Sequence, residues 1–478
     1  MKTNTPGGLK AEDFHDESFR DHLATVDKKG KRKWVFAQKP KGRFYNIRTL
    51  LSLGFFLLFF ALPFFKWHER PLFMFNIPDA KFIIFGKIFW PQDFFIFGVT
   101  MITFIVFIVL FTAAFGRLFC GWVCPQTNFM EMLFRKVEYL IEGDATEQRL
   151  LSKAPWSARK IRIKLTKHLA FYLLAFITAN FFLAYIIGMD ELKHIISEPV
   201  SNHIGGFSAI LIFSGVFYGV YAYFREQVCT VICPYGRLQS VLLDRNSMLV
   251  AYDYKRGEPR GKFTKDVTTD HGDCIDCYQC VKVCPTGIDI RNGTQMECVG
   301  CTACIDACDR MMDAVGRERG LIRYASENGI ANKERLHYTG RMKFYTVVLT
   351  ILAGLLTFLL VTRTDVGGAI IRVATNPVYQ ERGTDSISNL YTIKIINKTI
   401  KETHLHLKLE NAPGQILEVD GQSIFVNKEA QASGSFFVIL PKNHISKRKM
   451  NLKIGLYDDK DKKIAEMQTN FMGPFTRF

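Results

Sequence analysis

Five stretches of almost unbroken apolar residues alternate with strongly polar ones along the chain: Thr49 to Phe65, Phe94 to Phe115, Leu169 to Ile187, Ile204 to Phe224 and Phe344 to Val361. A bilayer core of ~30 Å takes roughly 20 helical residues to cross, so each stretch predicts a transmembrane helix, the first and last only just long enough. After the fifth the pattern changes. Period-two alternation in Tyr391-Thr-Ile-Lys-Ile-Ile-Asn397, His404-Leu-His-Leu-Lys-Leu-Glu410 and Asn451-Leu-Lys-Ile-Gly-Leu-Tyr457, broken by Asn, Asp, Gly and Pro turns, predicts a two-sheet sandwich.

Charge orients these elements. Nine Lys or Arg lie between Lys28 and Arg48 and ten between Arg117 and Lys167, whereas the alternate loops Lys66 to Asp93 and Gly188 to His203 hold four and one. By the positive-inside rule the amino terminus is expected in the cytoplasm, and an odd number of spans puts the carboxyl terminus across the membrane. The first 48 residues are polar, with no apolar run leading to a small-residue cleavage site. No removable signal is expected, and the first span reads as an anchor. The net charge of +17 would by itself admit a nucleic-acid partner. Its concentration beside the apolar spans points instead to anionic lipid. With 42 Phe in 478 residues, the chain does not resemble a plain soluble enzyme.

All twelve cysteines fall between Cys120 and Cys308, at or near the predicted reducing face, so ligand thiolates are expected rather than disulfides. Two helical hairpins end alike: Phe115-Gly-Arg-Leu-Phe-Cys120-Gly-Trp-Val-Cys124-Pro125 matches Phe224-Arg-Glu-Gln-Val-Cys229-Thr-Val-Ile-Cys233-Pro234. Two related halves are implied. The basic, amphipathic stretches that follow, Asn128 to Glu142 and Arg237 to Val250, are expected to lie along the inner membrane surface. Between Tyr254 and Gly272 the sequence Arg256-Gly-Glu-Pro-Arg-Gly261 reads as a linker. Gly257 to Lys262 falls short of a phosphate loop, and no Gly-x-Gly-x-x-Gly fingerprint occurs.

The chemistry concentrates in Cys274-x2-Cys277-x2-Cys280-x3-Cys284-Pro285 and Cys298-x2-Cys301-x2-Cys304-x3-Cys308. Three closely spaced thiolates wrap three corners of a cubane, and in two-cluster ferredoxins the fourth Cys of each run caps the other cluster. That assigns Cys274, Cys277, Cys280 and Cys308 to one 4Fe-4S cluster, and Cys298, Cys301, Cys304 and Cys284 to a second. Paired zinc sites are the weaker alternative, because zinc ribbons use separated Cys pairs. Residues four apart on a helix share a face. If the halves pack symmetrically, Cys120, Cys124, Cys229 and Cys233 would converge, to hold Cu(I), to enclose an additional metal centre or to act as redox dithiols. His68, His194, His203, Met74 and Met189 could touch a metal or quinone near the outer face, though interfacial anchoring explains them equally. Asn180 is expected to find a partner on another helix. His404 and His406 share a strand face and could bind a metal, but read more simply as exposed strand residues.

Gly42-Arg-Phe-Tyr, Phe89-Trp-Pro-Gln-Asp-Phe94, Gly116-Arg-Leu-Phe-Cys-Gly-Trp-Val-Cys-Pro-Gln-Thr127, Cys233-Pro-Tyr-Gly-Arg-Leu-Gln-Ser240, Arg256-Gly-Glu-Pro-Arg-Gly261, Cys304-Ile-Asp-Ala-Cys-Asp309 and Gly320-Leu-Ile-Arg-Tyr324 together resemble the CcoG family, also called FixG or RdxA, over nearly the whole chain. These are accessory proteins of cbb3-type cytochrome c oxidase assembly. The resemblance implies a cupric reductase of the bacterial inner membrane, with a periplasmic immunoglobulin-like domain at the carboxyl end. Cys120, Cys124, Cys229 and Cys233 would then be the copper-reducing residues, an unidentified cytoplasmic donor would supply electrons, and copper chaperones or oxidase assembly factors would be partners, with homodimerisation left open. The expected layout is a basic segment 1–48, a four-helix membrane domain 49–253, a ferredoxin-like two-cluster domain 254–340, a fifth membrane helix 341–363 and the sandwich 364–478. A quinol dehydrogenase and a non-enzymatic assembly scaffold are the competing readings.

Overall fold

The computed structural model describes residues 25–26, 31–67, 70–77, 81–90, 93–262, 271–334, 338–363, 366–374, 377–383, 385–399, 402–419, 424–428, 430–445, 447–458 and 460–474. His68 lies outside them. The chain divides into two compact units, 1–355 and 356–478.

Five helices of the described chain are long and apolar enough to cross a bilayer: Arg43–Phe64, Phe94–Phe115, Ala158–Ile187, Val200–Phe224 and Gly340–Val361. The first, third, fourth and fifth begin earlier than the apolar stretches do, and in the first, third and fifth basic residues continue the helix beyond its apolar part. Ser157 starts the third by accepting a hydrogen bond from the Lys160 amide at 3.3 Å. Side chains such as Phe94, Phe104, Ile212 and Val361 stand exposed on these helices, as expected of surfaces that lipid covers.

The bundle core is aromatic. Phe129 and Phe134 pack against Phe55, Phe56, Phe59, Phe171 and Tyr221, with Phe134 stacked on Tyr221 at 4.5 Å between centroids. This corrects the expectation for Asn128 to Glu142. The segment is a π-helical turn over Asn128–Phe134 followed by a helix over Arg135–Glu142, driven into the bundle rather than laid on a surface. Its polar residues are buried and paired: Glu138 contacts Arg225 and Lys167, Glu142 contacts Lys164 and Lys167, and Arg135 contacts Glu131. Arg237 to Val250 is also not one amphipathic helix. The helix Pro234–Leu242 stops, and Leu249–Tyr252 forms a strand antiparallel to Ile322–Ala325. Asn180 bonds the Phe176 carbonyl of its own helix at 2.9 Å instead of a neighbouring helix.

Arg256 to Gly261 is not a loose linker. Arg256 pairs with Asp273 and donates to the Arg319 carbonyl at 2.9 Å, while the Gly261 amide donates to the Cys274 carbonyl at 3.2 Å. The segment is thereby folded onto the cysteine-rich module.

The second unit is a sandwich of two antiparallel sheets. Strands Gln415–Glu418, Gln431–Pro441, Ser386–Asn397 and Val366–Arg372 form one in that order, with Gln380–Arg382 also pairing Ser386–Asn397. Ile424–Val426, Thr403–Leu409, Lys449–Asp458 and Lys463–Met472 form the other. Alternating Tyr391, Ile393 and Ile395 meet Leu405, Leu452, Ile454 and Leu456 in a fully buried core. His404 packs on Phe425, and His406 bonds Asp461 at 3.0 Å, so the two imidazoles serve strand contacts and do not share a ligand set.

Candidate metal centres

The two cysteine runs repeat one backbone fold. In the first, Asp276 and Tyr278 have φ of 53° and 58°; in the second, Gly300 and Thr302 have 68° and 64°. A left-handed residue on either side of the central cysteine turns successive amides inward, a concavity suited to negatively charged sulfur. Each run then enters a short helix, Gln279–Lys282 with Cys280 and Ala303–Ala314 with Cys304 and Cys308. Cys304 and Cys308, one turn apart, look toward different neighbours. Cys308 is within electrostatic reach of Cys274, Cys277 and Cys280. Cys304 interacts with Cys284, Cys298 and Cys301, and also with Cys280, where the two groups adjoin.

Burial governs these thiols. It pushes Cys280 and Cys308 up to about 12 and Cys298 and Cys301 up to about 11, with the Gly300 and Ala303 amides partly offsetting it at the latter two. Ligation has to supply the charge that favours the thiolate. Val250, Ile288, Ile290 and Val299 line the same cavity as Cys280, Cys284, Cys298, Cys301 and Cys304, giving an apolar wall around sulfur donors. Among the described residues no three Cys, His, Asp or Glu form a set able to hold one metal ion, Cys120, Cys124, Cys229 and Cys233 included. Triple cysteine runs suit a cubane, whereas zinc ribbons use separated cysteine pairs. The donor chemistry fits 4Fe-4S clusters.

The two Cys-x3-Cys-Pro arms also come together. Cys229 interacts with Cys124, Cys120 and Cys233, and Cys120 with Cys124 and Cys233. Burial raises both Cys120 and Cys229 to about 12. The arms share a conformation: Gly116 has φ 57° and ψ −127°, and Arg225 at the matching position has φ 48° and ψ −121°. Each second cysteine precedes a proline that begins the next helix. Each arm's cysteine meets a polar group from the other: Cys120 Sγ donates to Gln239 Oε1 at 3.0 Å, and Thr127 faces Cys229. Buried Thr127 hydrogen-bonds Cys229, and buried Gln239 reaches Tyr235 as well as Cys120, so polar groups from both arms surround the thiols.

Several positioning residues escaped sequence reasoning. Asp306 accepts from the Phe44 and Tyr45 amides at 3.0 and 2.8 Å, capping the first long helix with a side chain of the cysteine-bearing helix. Arg48 on that long helix donates to the Cys301 carbonyl at 3.1 Å. Trp122, between Cys120 and Cys124, donates to Tyr324 Oη at 3.0 Å, and Phe44 stands edge-on to both rings. The signal available was their place inside the quoted motifs, without the partners. Among the outer-face candidates, His194 and His203 both contact Glu198, and Met74 and Met189 are buried, with Met74 beside Gly188.

Known families match the same segments. A 4Fe-4S dicluster domain covers residues 224–327, a 4Fe-4S binding domain 97–164, and the "IG-like fold at C-terminal of FixG" 356–474. The chain is 31% identical to "Nitrogen fixation protein FixG" of Rhizobium meliloti over 98% of its own length and 97% of that protein. It is 32% identical to "Protein RdxA" of Cereibacter sphaeroides over 84% and 87%, and 30% to "Protein RdxB" of the same organism over 81% and 86%. Five membrane-competent helices, paired iron–sulfur motifs and this near full-length similarity make the chain a membrane iron–sulfur electron-transfer protein that belongs to the FixG/RdxA (CcoG) family.

Proposed function

We propose that this protein is a cupric reductase of the bacterial inner membrane, supplying Cu(I) for the copper centre of cbb3-type cytochrome c oxidase. In this reading the amino terminus and ferredoxin module are cytoplasmic and the sandwich periplasmic, in keeping with the basic flanks. The donor is an unidentified cytoplasmic reductant, and copper chaperones or oxidase assembly factors receive the product. The observation that carries the reading is the meeting of four half-buried thiols, Cys120, Cys124, Cys229 and Cys233, beside an iron–sulfur loop, where one pair of thiolates suffices for Cu(I).

When bound, the clusters supply one-electron storage at Cys274, Cys277, Cys280 and Cys308 and at Cys298, Cys301, Cys304 and Cys284. The membrane thiols choose the product. Cu(II) favours N and O ligands, whereas thiolates hold Cu(I), so sulfur donors favour the reduced ion. Protonated when metal-free, Cys120 and Cys229 release their protons on binding metal.

A second reading has its own support, because the 4Fe-4S binding domain over 97–164 contains Cys120 and Cys124. The four thiols would then hold a third cluster. One experiment addresses both. Replacing Cys120, Cys124, Cys229 and Cys233 with Ser is expected to abolish copper reduction while ferredoxin absorbance persists. Iron in anaerobically purified wild type is expected at about eight per chain, four per cubane. Reduction that survives the substitutions refutes the copper assignment, and about twelve irons, falling to about eight in the variant, establishes the third cluster instead.

A further inference from the structure

The two cysteine groups of the ferredoxin module stand in unequal relation to the membrane thiols. Arg117, three residues before Cys120 and buried, gathers three segments at one guanidinium. Its Nη1 donates to the Met296 carbonyl and, at 3.3 Å, to that of Cys298, while Nη2 donates to the Gly236 carbonyl at 2.6 Å. Cys298 opens the second cysteine run and Met296 lies two residues before it, while Gly236 follows Cys233 in the second arm. The first arm also touches the run through backbone alone: a methyl added at Gly121 would sit 2.7 Å from the Gly300 carbonyl carbon and 2.8 Å from Val299 O. Glycine at that place permits the approach. Around the first run the picture differs. Tyr278 is 48% exposed and covered on one face by Arg291, whose guanidinium is 4.2 Å from the ring centroid; Arg291 in turn pairs with Asp276 at 2.5 Å.

We propose that Arg117 is a positioning residue that fixes the order of electron flow, clamping the Cys298–Cys301 loop onto both Cys-x3-Cys-Pro arms so that this site discharges to the membrane thiols while the Cys274–Cys280 site faces the donor. The proposal rests on the reading of those thiols as the place of reduction. A cluster held by Cys284, Cys298, Cys301 and Cys304 would supply the one electron that takes one Cu(II) to Cu(I), and one held by Cys274, Cys277, Cys280 and Cys308 would pass on the electron from the cytoplasmic reductant that replaces it. The Arg117 guanidinium acts on Cys298, as Arg291 does on Cys280, and would favour the reduced, more negative form of a cluster there, because neighbouring charge and hydrogen bonds set iron–sulfur potentials.

The test uses full-length, cluster-loaded protein in detergent, comparing wild type with Arg117→Ala and Arg117→Lys. Potentials come from an EPR-monitored redox titration, and rates from stopped-flow oxidation of the dithionite-reduced protein by Cu(II). In R117A one of the two ferredoxin potentials should move downward and the other stay. Oxidation by Cu(II) should slow several-fold, because the loop is no longer held against the arms. R117K, which keeps the charge but not the fork, should recover the potential more fully than the rate. Unmoved potentials with an unchanged rate, or equal movement of both potentials, overturn the proposal. Should R117A lose iron, Gly121→Ala reads the same contact with the charge in place: slowed oxidation supports the clamp and a wild-type rate overturns it. If wild type does not reduce Cu(II) at all, the copper reading fails, while the single-potential shift still decides the clamp.

Discussion

The two Cys-x3-Cys-Pro arms hold the same backbone and use it differently. Gly116 and Arg225 occupy matching positions with nearly the same positive φ. In the first arm glycine takes that conformation without strain, and the next residues, Arg117, Gly121 and Trp122, all reach the ferredoxin module. In the second arm a bulky residue takes it at a cost of about 1–3 kcal/mol. Arg225 is held there by Glu138, and its guanidinium lies 4.9 Å from the Trp34 ring. Glu226, where the first arm has Arg117, pairs with Arg32 at 2.9 Å and Arg135 at 3.8 Å. The first arm reaches the ferredoxin module and the second is anchored by ion pairs. A duplicated hairpin has kept its thiol geometry while its flanking residues divided the remaining tasks.

The comparison breaks most visibly at Glu138. Burial alone would push its carboxyl up, but Arg225 and Lys167 hold it at about 2. Glu138→Ala leaves buried cations uncompensated and should cost about 3–5 kcal/mol, read as a lowered melting point in detergent; a variant melting like wild type would show that this anchoring carries no load. A smaller effect is expected at Gly116. Gly116→Val forces a β-branched residue into the left-handed region and against the Met248 carbonyl, and should destabilise by at least about 1–3 kcal/mol, whereas Arg225→Gly relieves that strain but forfeits the ion pair and should cost less. Equal losses in the same melting assay would deny the asymmetry. The smallest is Tyr324→Phe, which removes the acceptor of Trp122 Nε1 and should cost about 0.5–1.5 kcal/mol, with a shift in tryptophan emission as the local reporter. No change in either melting or emission would remove Trp122 from the contact.

Much of this arrangement was legible in the sequence for simple physical reasons. Spans announce themselves through uninterrupted apolar length, and cysteine spacing dictates which thiols can share a cubane. The spacing alone led to the expectation that Cys308 joins the first run and Cys284 the second, and the structure sets each near those thiols. What failed was the reading of polar residues. Glu138, Glu142 and Arg135 fit the solvated face of an amphipathic helix just as well as a buried ionic network, and periodicity does not distinguish a wet face from a paired one. Arg256 to Gly261 carries the composition of a linker, yet its arginine ties it to Asp273 and to a carbonyl far along the chain. The meeting of Gly121 with Gly300 joins residues remote in sequence, which no local pattern announces.

Asp306 sits between Cys304 and Cys308 on one short helix, and those two sulfurs serve opposite cysteine groups. Losing either metal centre would therefore loosen the same rod, and with it the carboxylate that seats the first long helix. A chain starved of iron should lose its grip on its own lipid-embedded base as a unit, so that fully charged and collapsed molecules outnumber half-charged ones.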